Sequence, residues 1–215
     1  MTTNAGTRLR ADAQRNRDQI VAAAKVLFVA AGLDVPMEEI ARGAGVGVGT
    51  LYRRFPDRER LISAVVRECF VDALHDARLA AAAGPTAWDA LVHLLVGSRD
   101  LRLSIRLAVL SRPGWASIRD DPEIRELREN LLGVLDELVR TAQADDVLRA
   151  DVGTGDVGLV VYLLFRHNPA DAEALSGGPL ERAVVLMLDG MRVHPGTPLP
   201  GHPVTAAELE GYDRE

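Results

Sequence analysis

The sequence is short of cysteine, aromatics and long apolar runs, and each shortage removes a class of protein. Cys69 is the single cysteine, so no disulfide framework can form within the chain, which fits a reducing compartment. Aromatic residues make up only 4% of the 215 positions while Ala, Leu and Val abound, favouring helix over sheet. The longest apolar stretch, Val157–Phe165, is far too short to span a bilayer, and the N-terminus lacks the charged-then-apolar pattern of a secretory leader. The expectation is a cytoplasmic, all-α protein with no membrane partner. Lysine is nearly absent too: Lys25 stands alone against 24 arginines, a skew that carries no mechanism by itself. Signatures of catalysis are also missing. There is no nucleophile elbow, phosphate loop, histidine pair at metal spacing or plausible Cys–His pairing, so neither an enzyme nor a cofactor is expected.

What is present begins with an uneven charge. The net charge of −6 argues against a nucleic-acid partner when taken whole. Residues 1–60, however, hold 10 Lys and Arg against 7 Asp and Glu, while the remainder holds 15 against 24. One basic end is set on an acidic body, which would discourage the wrong face from lying on DNA.

That basic end contains the most informative stretch, EEIARGAGVGVGTLYRRFPDR at 38–58. Ile40, Ala41 and Ala44 fall on one side of a short helix, and Gly45-Val46-Gly47 interrupts it. A second short helix follows from Val48 to Phe55, with Leu51, Phe55 and Val48 on its packed side. A small residue where two helices cross, a glycine four later and an aliphatic six beyond that form the grammar of a helix-turn-helix. Gly49, Thr50 and Arg53 fall on the opposite side, flanked by Tyr52 and Arg54. A helix lying in the major groove needs small or donor-bearing residues at its centre and phosphate-reaching groups on its rims. Gly49 permits close approach, Thr50 and Arg53 reach base edges, and Tyr52 and Arg54 reach the two strands. With Glu38, Val48 and Arg58, which opens the following helix, these residues make up the candidate DNA-binding set.

GVGVGTLYRRFPDRERL resembles the signature of the tetracycline-repressor (TetR) family of bacterial transcription regulators, and residues 15–66 follow the family pattern. One departure stands at Gly47, where the family often has a capping serine. The resemblance implies an N-terminal three-helix DNA-binding domain and a C-terminal helical domain for ligand binding and dimerisation. It also implies a double-stranded DNA operator, a small-molecule effector of unknown identity, and a homodimer formed through the last two helices. The alternative is a helix-turn-helix regulator without an effector, whose second domain only dimerises or binds a protein partner.

Along the chain, the expected division is a flexible basic arm (1–14), the helix-turn-helix domain (15–56), the helical effector-binding and dimerisation domain (57–192) and a Pro/Gly-rich tail (193–215). Helix one runs from about Asn16 to Ala31, its stripe Ile20, Ala24, Leu27, Phe28 and Ala31 closing the small core. Asp57 caps a long fourth helix that is shared by both domains and marked by Ile62, Val66, Cys69, Phe70, Ala73 and Ala77. Thr86–Asp89 reads as a capping box opening one helix to about Leu110, and Asp121-Pro122 opens another to about Gln143. Two apolar helices, 155–166 and 180–192, then suit a four-helix interface between two copies.

Within the second domain, Arg99, Arg102 and Arg106 form one stripe on an otherwise apolar helix. Such a strip suits an anionic effector, or else salt bridges to Asp72, Asp76, Glu126 or Glu129. Trp115, Tyr162 and Phe165, with Trp88, are candidate walls of a ligand cavity, though each also suits core packing. Asp72, His75 and Asp76 share a face near His93 in the sequence pattern, but an exposed polar face explains them better than a metal site. Cys69 reads as a core thiol.

Overall fold

The computed structural model describes residues 3–110, 118, 120–165, 179–193, 202–203 and 205–207. Nine α-helices cover most of them: α1 (Thr3–Ala31), α2 (Met37–Gly43), α3 (Val48–Arg54), α4 (Arg58–Ala83), α5 (Ala87–Val92), α6 (Arg99–Leu110), α7 (Pro122–Ala144), α8 (Thr154–Phe165) and α9 (Pro179–Met191). No strand occurs among the described residues, only an isolated bridge between Leu148 and Arg192. The all-α class expected from composition is the fold.

The helix ends follow from local chemistry. Gly32 (φ 83°) and Gly45 (φ 66°) adopt left-handed backbone just past α1 and α2, a region that residues with a Cβ enter at a cost. Asp57 caps α4 by accepting from the Arg60 N–H at 2.8 Å. At α5 the Thr86 hydroxyl accepts from the Asp89 N–H at 3.1 Å, the capping half of the box, and donates to the Asp89 carboxylate at 2.7 Å, a side-chain bond in place of the box's return bond to the backbone. Asp121 accepts from the N–H groups of both Glu123 (2.9 Å) and Ile124 (3.2 Å), with Pro122 as the first helical residue of α7. An Asp121→Ala protein is expected to lose about 1 kcal/mol. Its melting midpoint should fall by roughly 2–4 °C in a calorimetric scan, and an unshifted midpoint would discount the cap.

Two stretches differ from the sequence reading. Helix α1 begins at Thr3, so residues 3–14, expected to form an arm, continue the helix instead. Ala, Arg, Leu and Gln there are good helix formers, so helix propensity alone accounts for the segment without an apolar stripe in its sequence. The helix expected over 86–110 is also interrupted. After α5 the chain makes a π turn at His93–Gly97, and Ser98 then adopts extended backbone (ψ 108°). Its hydroxyl accepts from the Leu101 N–H at 3.3 Å, so Ser98 caps a new helix rather than continuing the old one.

Helix α4 is the spine. Its 26 residues span about 39 Å, and it packs against α1, α5, α6 and α7. Leu61, Val65, Val66, Cys69, Ala73 and Ala77 along it are fully buried, and the buried side chains form one continuous cluster from Ile20 to Met191. Arg67 of α4 also reaches Glu123 of α7 at 2.8 Å. Cys69 belongs to this core, and burial pushes its thiol up to about 12, so no thiolate is available near neutral pH.

The C-terminal end of helix α9 is tied to the segment after α7. Arg149 N–H donates to the Met191 carbonyl (3.0 Å) and Val193 N–H to the Val147 carbonyl (2.9 Å). The Arg192 guanidinium stacks 5.4 Å from the centre of the Trp88 ring. Leu188 and Met191 point into the core, whereas Val185, Leu186 and Met187 are exposed, Leu186 to 69%.

Candidate nucleic-acid interface

The head is built around two short helices that cannot stand alone. Seven residues each are too few for an isolated helix, so α2 and α3 depend on the packing of Ile40, Ala41, Leu51 and Phe55. Ile40, Ala41 and Leu51 are fully inaccessible, and Phe55 is buried nearly as well. The turn between the helices is closed by Gly45 N–H to the Arg42 carbonyl (3.1 Å) and Val46 N–H to the Ala41 carbonyl (3.0 Å). Helix α1 contacts both α2 and α3, with Ile20, Ala24 and Phe28 buried beneath them.

This packing leaves the opposite face of α3 open. Gly49, Tyr52, Arg53 and Arg54 are exposed and Thr50 is half-buried. Val48, placed by its angle on the packed side, is 39% exposed. It is the first residue of the helix and lies beyond the mini-core that Leu51 and Phe55 fill. Gly47 caps α3 with extended backbone and no side-chain bond, as a residue without a hydroxyl must.

The polar groups on this face are partly organised among themselves. Arg53 donates from Nε to the Gly49 carbonyl (3.2 Å) and from its terminal nitrogen to the Thr50 hydroxyl (3.1 Å). The two candidate base readers are therefore linked, which limits the rotamers each must lose on meeting a base edge. The Tyr52 hydroxyl donates to Glu38 at 3.5 Å, a long bond joining α3 to the first turn of α2. Arg58 is half-buried and donates to the Leu33 carbonyl, which ties the start of α4 to the turn after α1. That geometry gives Arg58 a part in assembling the head, a role its position in the sequence did not reveal.

The candidate ligand residues are brought together less fully. Arg102 and Tyr162 are half-buried on α6 and α8. The side chains of Arg99, Arg106 and Phe165, and the whole of Trp115, lie outside the described residues. Trp88 is buried in the core beneath Arg192. Asp72 is occupied by Lys25 at 2.7 Å, and among the described residues no three His, Cys, Asp or Glu side chains gather closely enough to hold a metal ion. No helix among those residues is long and apolar enough to cross a membrane.

Similarities to known proteins bear on the head and on the chain as a whole. Residues 20–65 match the model of bacterial regulatory proteins of the tetR family. A curated HTH-type transcriptional regulator of Staphylococcus aureus is 40% identical over 60 residues, which is 27% of this chain and 32% of that protein. The match thus spans about a third of the curated relative's length. A solved TetR transcription regulatory protein from Mycobacterium vanbaalenii is 33% identical and superposes over 86% of this chain and 99% of its own, with a TM-score of 0.55. The chain belongs to the TetR family. A TetR transcriptional regulator from Streptomyces coelicolor, 28% identical, aligns with 83% of this chain and 99% of its own at a TM-score of 0.61. The TetR family consists of DNA-binding transcriptional regulators rather than enzymes. Its architecture, an N-terminal helix-turn-helix followed by a helical domain, is the one described above.

Proposed function

We propose that this TetR-family protein is a homodimeric repressor whose two α3 helices read an operator, and which a small-molecule effector releases. The open face of α3 carries the DNA half of the reading. Thr50 and Arg53 are the base readers on that face, with Gly49 and Val48 beside them for close approach and Tyr52 and Arg54 on the rims. Glu38 orients Tyr52, and Arg58 holds the end of α4 against the head. Dimerisation is supported by α9, whose Val185, Leu186 and Met187 are exposed together with Leu163 on α8. Exposed apolar side chains gathered on one helix, as Val185, Leu186 and Met187 are, mark an interaction face. A helix-turn-helix dimer places its reading helices in successive major grooves roughly 34–36 Å apart. The effector would lie among α6, α7 and α8, where Arg102 and Tyr162 are half-buried.

Selection of bound DNA from a random pool tests the first half of the reading. A palindromic site is expected, and enrichment of a single unrepeated half-site would refute dimeric recognition. Arg53→Ala should relax base preference by roughly 1–3 kcal/mol if the contact is bidentate, whereas Tyr52→Ala should weaken binding to all sequences alike and lower its salt slope. Wild-type selectivity in Arg53→Ala would show that Arg53 reads no base. A thermal-shift screen across chemical classes tests the effector. Any ligand that both stabilises the protein and displaces the operator supports induction by differential affinity, and stabilisation by none favours a body that only dimerises.

A further inference from the structure

The chain's one lysine joins the head to the body. Lys25 lies on α1, between the buried residues Ala24 and Phe28 of the head's core. Its ammonium is 2.7 Å from Asp72 on α4 and 2.5 Å from Asp100 on α6. Three helices thus meet at one nitrogen. The Asp100 arm is the better sheltered, since Lys25 and Asp100 side chains are 19% and 25% exposed against 43% for Asp72. Ion pairs in such partly dry sites are felt more strongly than surface pairs. Burial works against the lysine's charge, but hydrogen bonds to Asp100 and Asp72 outweigh it and hold the ammonium protonated well above its ordinary range. On the lysine's side the clamp is therefore intact throughout the neutral range and is lost only as pH climbs through that raised value.

The position of Asp100 gives the pairing its meaning. It is the second residue of α6, directly after the π turn and the extended Ser98 that separate this helix from α5. A helix set off by such a break can shift at that end without bending α5. The Asp72 arm joins α1 to the spine, while the Asp100 arm joins it to a helix of the body. We propose that Lys25 is a positioning residue for operator binding: its bond to Asp100 fixes the angle of the reading head on the body, and thereby the spacing of two heads on DNA. This inference rests on the dimeric reading proposed above.

The test separates placement of the head from its folding. Full-length wild type and Asp100→Asn are titrated with the selected two-half-site operator and with DNA carrying one half-site. Asp100→Asn keeps the Lys25–Asp72 pair, so the head stays folded and half-site affinity should be unchanged. Affinity for the full operator should fall roughly tenfold as the heads lose their fixed spacing. The single lysine supplies an independent signal, because the protein has one side-chain ammonium resonance, and this should shift in Asp100→Asn. A mutant that prefers two half-sites over one as strongly as wild type does, or that loses both affinities equally, overturns the proposal. Wild type binding one half-site as tightly as two would overturn the dimeric reading itself, an outcome visible before any mutant is made.

Discussion

Leu51→Ala is expected to unfold the reading head while leaving the body standing. The side chain is fully buried, and deleting it from a close-packed core costs about 2–5 kcal/mol. The loss falls on two seven-residue helices with little stability of their own. Stability is not uniform across a protein, so the opening should stay local. Hydrogen exchange should show α2 and α3 amides losing protection while α7 keeps it, and operator affinity should drop by about 30-fold or more. Full protection of α3 together with wild-type operator binding would show that Leu51 is not the pin of this domain.

The second large effect is expected at Leu186. This residue is 69% exposed, flanked by Val185 and Met187, on a helix whose opposite side buries Leu188 and Met191. Leu186→Arg costs the isolated chain little, because nothing among the described residues covers the side chain. Between two copies it would place two charges in an apolar seam. Sedimentation should report a monomer in place of a dimer. Operator affinity should fall by two to four orders of magnitude as the second head ceases to be tethered. A mutant that still sediments as a dimer would move the interface elsewhere.

The parts legible in the sequence are those whose cause is local. Gly45, Leu51 and Phe55 announced the helix-turn-helix because a left-handed turn and a four-residue apolar repeat are set within a few positions. Asp57, Thr86 and Asp121 announced three helix starts because a cap bonds to its own next turn. The misses have different origins. Residues 3–14 form helix without an apolar stripe, so periodicity had nothing to report. Ser98 divides the 86–110 segment through one hydroxyl bond that competes with helix continuation. Arg58 meets a carbonyl 25 residues away, and Lys25 meets a carboxylate 47 residues away. Such partners are set by tertiary packing, and no spacing rule on one sequence specifies them. The candidate arginines share one stripe of α6 and the aromatics were singled out by type, and the burial of Trp88 agrees with the core-packing reading that its type also allowed.

The unbroken core along α4 bears on how such regulators can be recombined. The basic head looks like a detachable module, and Pro56-Asp57 looks like the natural seam. A chimera cut there would inherit α4 from one parent and α1 from another. Its transplanted α1 would then meet unfamiliar residues where Leu61 and Val65 now lie fully buried, and its lysine position would find no carboxylates where Asp72 and Asp100 stand. A working exchange of DNA specificity should instead move the exposed face of α3 alone, or carry the head together with α4 and the chain onward at least as far as Asp100. The unit of inheritance for specificity is smaller than the head, and the unit of inheritance for response is larger.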